Sequence, residues 1–360
     1  MTRLVKQGAT IRLAFLLLIP WCFSSCTSIS VASLPLTTIS LAGSTAFLPV
    51  LSEVTEEFSQ RHPNVLFDLR GGGIVLGQNQ LLLGEIDLAM TTVLAPLVEE
   101  EGNNDVDTSL SNKGLNSTRA NRVAVTASGN RGDADSKGGL TFSQASESLE
   151  IVRIPIGLDA IAIVVHATND IQDLSLMEVQ AIYSGRVLDW SELGGQDNEI
   201  LLISREESSG TRQLFEERIM RDEEVSLTAV VMPSHADVLR YVASHPTAIG
   251  YLSRSYILSE ERQNGSASVG PTGSTPQPFG TQSRNSFLAA FSNDLAKVKP
   301  VQLDGQEPTI EAILSQQYYL VYPLFLLSRG EPTGWPALFI EFVLGPSGQT
   351  IVQRYHAPVR

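Results

Sequence analysis

Residues 205–212 read Arg-Glu-Glu-Ser-Ser-Gly-Thr-Arg and run at once into a helical pattern, QLFEERIMR. Hydroxyls, exposed amide N–H groups and a guanidinium at the mouth of a helix are a set of hydrogen-bond donors, and what such a set holds is an anion. Three further loops share the Gly, Ser and Thr composition: Gly43-Ser44-Thr45-Ala46-Phe47, the stretch 70–77 with Gly73 and Ile74, and Ala89-Met90-Thr91-Thr92. Each follows a run of strand character and begins or precedes one of helical character. The first N–H groups of a helix lack internal partners, and the helix dipole adds roughly half a positive charge there. In open α/β sheets, ligands sit beyond the carboxyl ends of the strands, where these loops must fall. Singly, each loop has a plain structural use: SSGT caps a helix, GGG makes a turn, and GSTAF does both. Their joint occurrence with Arg205 is what points to an oxyanion.

The elements that would carry these loops are legible in the spacing of apolar residues. LTTISLAGS has the β-branched, apolar character of a buried strand, and Val50, Leu51, Val54 and Phe58 then recur at helical spacing until Pro63. NVLFDLRGGG is a second strand entering a glycine turn, QNQLLLG a helix and IDLAMTT a third strand. This alternation predicts βαβ units and a mostly parallel sheet. IVRIPIGLDAIAIVVH is an uninterrupted apolar run suited to a strand buried on both faces. SLMEVQAIYSG opens with a capping box, Ser175 to Glu178, and SHADVLRYVASHP with another, Ser234 to Asp237. EILLIS, AIGYLS and YYLVYPLFLLS read as strands, and the chain closes as helix, Gly-Pro break and helix. Residues 99–150 and 264–286 are rich in Asn, Ser, Gly and Asp with little periodicity, and are expected as polar insertions on the surface.

With 360 residues, 42% hydrophobic and 18% charged, the chain has the composition of a globular protein with a sizeable core, not of a nucleic-acid binder. Arg3, Lys6 and Arg12 followed by LAFLLLIPW have the layout of a secretory leader, with an apolar run shorter than the about 20 residues that span a bilayer. Phe23-Ser-Ser-Cys26 resembles the lipobox of bacterial lipoproteins, in which the cysteine is acylated, although leucine is usual where Phe23 stands. The resemblance implies a leader over 1–25 and a lipid on Cys26. The other reading is cleavage at a nearby Ser or Ala and release as a soluble exported protein. Neither leaves a disulfide, since Cys22 and Cys26 are the two cysteines of the chain. Loss of the three leader cations takes the formal charge from −14 to −17. The whole-protein field is therefore hostile to anions, and the local donors must overcome it.

Catalytic signatures are missing. There is no G-x-S-x-G elbow, no G-x-x-x-x-G-K-[ST] phosphate loop, and no H-E-x-x-H among His62, His166, His235, His245 and His356. No nucleophile, base, metal set or cofactor motif stands out, and the expected class is a binding protein without cofactor.

The motifs in their order resemble the substrate-binding proteins of high-affinity phosphate ABC importers, within the type II periplasmic-binding-protein fold. AGSTAFLPVL, GEIDLAMTT, IPIGLDAIAIVVH, IYSGRVLDWSELGG, SREESSGTR, AIGYLS and FIEFVLGPSGQTIV carry the likeness, which runs from about residue 38 to the C-terminus apart from the two insertions. It implies an α/β fold of two lobes with mixed sheets joined by a hinge of crossing strands, lobe 1 from 37–98 and 252–360 and lobe 2 from 158–247. It implies an anion held by Ser44, Thr45, Ala46 and Phe47, and by Arg205, Ser209, Gly210 and Thr211. Two places depart. The family usually has serine after the glycine of the second loop, and here Ile74 follows Gly73, leaving backbone N–H. Many relatives place an aspartate or a serine pair after the third strand, and here Thr91 and Thr92 stand. Aspartate accepts a hydrogen bond from protonated phosphate while repelling sulfate; threonine both donates and accepts. Arg70 is either an added charge for the site or a solvent-facing residue. The implied function is an extracytoplasmic receptor, monomeric and not an enzyme, that delivers phosphate or a similar oxyanion such as sulfate, molybdate or tungstate to an ABC permease in the membrane. The alternative is an envelope scaffold or sensor that kept the fold and lost tight anion binding.

Overall fold

The structure, a computed structural model, describes residues 35–92, 121–125, 149–257 and 291–359. Cys26 and the leader, the insertion 264–286 and most of 99–148 lie outside the described residues. Strand β1 (Thr37–Gly43) passes through Ser44 and one 3-10 turn into α1 (Leu48–Arg61). β2 (Val65–Arg70), α2 (Ile74–Leu83) and β3 (Leu88–Thr91) complete this part. β4 (Asn121–Val125) and the long β5 (Leu149–His166) follow, then β6 (Asp173–Leu174), α3 (Leu176–Tyr183), β7 (Leu201–Arg205) and α4 (Gly210–Phe215). Next come β8 (Val230–Met232), α5 (His235–Ser244) and β9 (Ala248–Ser253). The chain ends with α6 (Ser292–Leu295), β10 (Val298–Pro300), β11 (Gln302–Leu303), α7 (Ile310–Leu314), β12 (Val321–Arg329), α8 (Gly334–Leu344), α9 (Pro346–Val352) and β13 (Ala357–Pro358).

One mixed sheet runs through the fold in the order β2-β1-β3-β12-β5-β9-β7-β8. At one end β1 lies parallel between β2 and β3; at the other β7 lies parallel between β9 and β8. The middle is antiparallel, with β12 against β3 and β5, and β5 against β9. The sheet is thus less parallel than βαβ alternation predicts, because the long apolar runs cross between the two parallel ends instead of repeating the unit. β5 earns that place by sequence: Ala160 to Val165 are all buried, as a strand covered on both faces must be.

Local signals hold the helices where the loops need them. The Ser175 capping box is closed in both directions, Ser175 Oγ accepting from Glu178 N–H and Glu178 accepting from Ser175 N–H (2.7 Å). Ser234 Oγ accepts from Asp237 N–H at 3.1 Å and donates to its carboxylate at 2.6 Å. In the GEIDL motif, Asp87 accepts from Ser40 N–H (2.8 Å) and Ser40 Oγ (2.7 Å), which ties β3's entry to β1. Trp190 of the DWSELGG segment donates to Thr247 O at 2.9 Å, fixing the turn before β9. Residues 121–125 depart from the expected surface excursion: NRVAV pairs antiparallel with β5, from Asn121 opposite Arg153 to Val125 opposite Leu149. Its five residues are too few to give a periodic signal among polar neighbours.

Candidate functional site

Backbone hydrogen bonds link all four predicted loops. Ser44 N–H donates to Met90 O (2.9 Å), closing the end of β1 on β3. Gly73 N–H donates to Gly43 O (3.1 Å), and Ile74 N–H to Ser208 O (3.2 Å), so the glycine turn bridges the first loop and the SSGT loop. Gly73 has φ +84°, and a Cβ there would lie 2.6 Å from Ser208 Oγ; only glycine permits that approach. On the other side, Tyr256 Oη donates to Thr45 O (2.8 Å) and Ser255 Oγ to Ala46 O (3.4 Å). Thr91 and Thr92 follow Met90 directly, so the end of β3 joins this contact set through the Ser44 to Met90 hydrogen bond.

The predicted polar residues are nearly all buried. Exposure is 4% at Ser44, 7% at Thr45, 1% at Thr91 and Thr92, 1% at Arg205, 3% at Ser209 and 1% at Thr211. Thr45 Oγ1 and Thr92 Oγ1 are buried without any hydrogen-bond partner. A buried hydroxyl left unpaired costs about 1–3 kcal/mol, so such atoms call for a ligand or another explanation. Thr91 is occupied, with Gln78 Nε2 donating to its Oγ1 at 3.4 Å. Ser44 Oγ accepts from Ala46 N–H (3.4 Å), and Ser209 Oγ caps α4 by accepting from Arg212 N–H (3.3 Å). Phe47 and Ile74 are buried side chains, and Gly210 starts α4. Because Ile74 N–H is given to Ser208, the second loop has used the amide that the sequence reserved for an anion.

Arg205 ends β7 and is held from several sides. Its Nε and Nη2 meet Glu206 Oε2 and Oε1 at 3.1 and 2.9 Å, a fork-to-fork pair, and they also reach Met232 O (3.1 Å) and Pro233 O (3.3 Å). Nη1 donates to His235 Nδ1 at 3.0 Å. The guanidinium edge expected to grip an anion is thus turned to Glu206, leaving the Nη1 side. Sequence reasoning missed both partners: neither Glu206 nor His235 was assigned to the site. Arg212 Nη1 donates to Arg205 O (3.0 Å) and its Nε to Glu216 (2.7 Å), so the second arginine of the motif braces the loop. Arg70 pairs with Asp68 at 3.2 Å, both about half exposed, and takes the solvent-facing option.

Behind these loops lies a second polar group that sequence reading did not single out. Asp159 on β5 is fully buried and accepts from Ser253 Oγ and from Tyr322 Oη (2.6 Å), with His356 Nδ1 at 3.2 Å. Burial would raise its pKa, but His356 and the hydrogen bonds from Ser253 and Tyr322 outweigh that and hold it below the usual carboxylate range. Ser253 Oγ also meets Ser255 Oγ at 2.7 Å, linking Asp159 to the Ala46 carbonyl. The signal available in the sequence was the single acidic residue inside IPIGLDAIAIVVH: a charge in an all-buried strand must be paired. Among the described residues, no cluster of His, Cys, Asp and Glu could hold a metal, and no helix is long and apolar enough to cross a membrane.

The PBP superfamily domain matches residues 30–347. The phosphate-binding protein PstS of Bacillus subtilis (strain 168) is 21% identical over 308 residues, covering 85% of this chain and 74% of that protein. PstS of Staphylococcus aureus (strain USA300) is likewise 21% identical, over 318 residues. Among solved structures, a protein from Clostridium perfringens described as a phosphate ABC transporter substrate-binding protein, with bound phosphate, superposes with TM-score 0.61 at 24% identity, covering 90% of this chain and all of that one. An ABC-type phosphate transport receptor from Vibrio cholerae gives TM-score 0.50 at 22% identity, covering 89% and 98% of the two chains. These likenesses give the fold: the type II arrangement of mixed α/β sheet.

Proposed function

The chain belongs to the PBP superfamily, and from that premise we propose that it is an extracytoplasmic receptor that binds inorganic phosphate, or a like tetrahedral oxyanion, and delivers it to an ABC permease. The observation that carries this is the pair of buried, unpartnered hydroxyls, Thr45 and Thr92, at the ends of neighbouring strands. They stand in two of the loops that sequence alone assigned to an anion. The names of the relatives in Bacillus subtilis and Staphylococcus aureus favour phosphate over the scaffold or sensor reading.

In this reading the anion lies between a lobe formed by 37–98 and 252–360 and a lobe formed by 158–247. Ser44, Thr45, Ala46, Phe47 and Thr92 serve it from the first lobe, with Thr91 and the Gly73-Ile74 turn supporting that wall. Arg205, Ser209, Gly210 and Thr211 serve it from the second. A bare ion costs many kcal/mol to bury unless fully hydrogen-bonded. Since Glu206 matches the charge of Arg205, the anion is met mainly by neutral dipoles: the free hydroxyls, the first amides of α4 and the remaining Nη1 hydrogen of Arg205. The distant surface carboxylates of an acidic body are screened over about 8 Å at physiological salt and slow arrival more than they weaken holding. The Ile74 to Ser208 hydrogen bond joins the two proposed lobes and is a contact of the closed form. The protein works as a monomer, kept near its permease by the lipid on Cys26, and carries out no catalysis.

A melting experiment tests this. Phosphate at 100 times its dissociation constant adds about 2.7 kcal/mol to stability, and the gain is expected in the native protein and not in Arg205→Ala. An equal gain in Arg205→Ala removes that residue from the site.

A further inference from the structure

Thr211 is buried, and two side chains behind the SSGT loop hold its hydroxyl. One is His235, whose Nε2 lies 3.3 Å from Thr211 Oγ1. His235 Nδ1 meets Arg205 Nη1 at 3.0 Å and the backbone N–H of Ser253 at 3.3 Å. Guanidinium and amide N–H groups can only donate, so Nδ1 is the accepting nitrogen and the ring proton sits on Nε2. Burial, with the Arg205 charge beside it, holds the ring well below its ordinary pKa and keeps it neutral. Nε2–H therefore donates to Thr211 and fills one of the two lone pairs on its oxygen. The other side chain is Tyr322 on β12, whose phenol is hydrogen-bonded to Thr211. Tyr322 Oη gives its own proton to the Asp159 carboxylate at 2.6 Å, and an ionised carboxylate can only accept. The phenol oxygen is left as an acceptor, so the proton between it and Thr211 comes from Thr211. With that proton turned to Tyr322 and one lone pair filled by His235, Thr211 has one lone pair left for a ligand.

We propose that Thr211 is a selectivity residue of the site, an acceptor that requires a protonated oxygen on the bound anion, with Tyr322 and Asp159 as positioning residues that fix its polarity. This rests on the oxyanion reading above and deepens it by naming the ligand class. The class is oxyanions that carry a proton near neutrality, such as phosphate and arsenate, and not sulfate. A P–OH turned to Thr211 extends a chain in which Thr211 donates to Tyr322 and Tyr322 to Asp159. Each hydroxyl in such a chain polarises the next, and the buried carboxylate terminates it. A bare oxygen in the same place meets a lone pair with no proton to share. Thr45 and Thr92 make no such demand, since an unpartnered hydroxyl can donate or accept. Both ionisation states of phosphate near neutrality keep a P–OH, so the filter works through phosphate's second ionisation.

Calorimetric titration with phosphate and with sulfate tests this in the native protein, Thr211→Val and Tyr322→Phe. The native protein is expected to bind phosphate about a hundredfold or more tighter than sulfate. Thr211→Val keeps the shape and removes the lone pair, and is expected to weaken phosphate about tenfold while sulfate does not weaken. Tyr322→Phe keeps the ring and frees the Thr211 proton for the anion. Sulfate is then expected to bind about tenfold tighter than in the native protein, a gain that damage to the fold does not produce. If Tyr322→Phe does not fold, the two affinities in Thr211→Val decide alone. Three results overturn the inference and leave the receptor reading standing: sulfate held as tightly as phosphate by the native protein, equal losses of both anions in Thr211→Val, or no gain for sulfate in folded Tyr322→Phe. Failure of the native protein to bind either anion overturns the receptor reading and this inference with it.

Discussion

Thr92 shows how one side chain separates stability from binding. Its hydroxyl is buried without a partner, which is a cost to the protein and, in the proposed reading, a contact kept for the anion. Thr92→Val keeps the shape and removes the cost. The variant is expected to melt higher without ligand, by the equivalent of about 1 kcal/mol, and to lose phosphate affinity by about tenfold or more. Parallel melting curves and titrations read both signs; a variant that is less stable and binds as well contradicts the assignment of Thr92 to the site. The loops were legible from sequence only jointly, since Gly, Ser and Thr beside a strand end also serve as caps and turns. The partners of Arg205 were not. Glu206 is adjacent in sequence and His235 lies 30 positions on, and nothing in a linear pattern says which of two acidic neighbours turns inward.

At the level of elements, the glycine turn is the most exposed to a single change. Gly73 combines φ +84° with contact on Ser208, a conformation that costs another residue about 1–3 kcal/mol. Gly73→Ala is expected to weaken anion affinity by more than its loss of stability alone accounts for, because the Cβ pushes the β2–α2 turn away from the SSGT loop. Titration beside chemical denaturation distinguishes the two; an affinity loss no greater than in a distant variant of equal destabilisation rejects the closure role. Most elements could be read from periodicity and caps, as α3 and α5 show with their Ser175 and Ser234 caps. Sheet order could not. That β12 lies between β3 and β5 follows from packing of residues more than 150 positions apart, and β4 is a strand only because β5 offers it an edge.

For the molecule as a whole, Asp159 joins the parts. Its carboxylate on β5 collects Ser253 from β9, Tyr322 from β12 and His356 next to β13, where the strands cross between the two ends of the sheet. Its folded pKa is depressed, so its contribution is present above the unfolded value of about 3.9 and is lost as pH falls through the lower folded value. Asp159→Asn is expected to cost about 3 kcal/mol near neutrality, with the gap to the native protein closing in strong acid. Denaturation curves over that range check the sign; a gap that widens as pH falls contradicts it. The most direct test of the receptor itself is a calorimetric titration of the native protein with phosphate, beside arsenate, sulfate, molybdate and tungstate. Saturable binding of phosphate at one site per chain, lost when Arg205 is replaced by alanine, is the expected result. No heat from any of these anions would mean that the loops converge on nothing and that the fold serves another purpose.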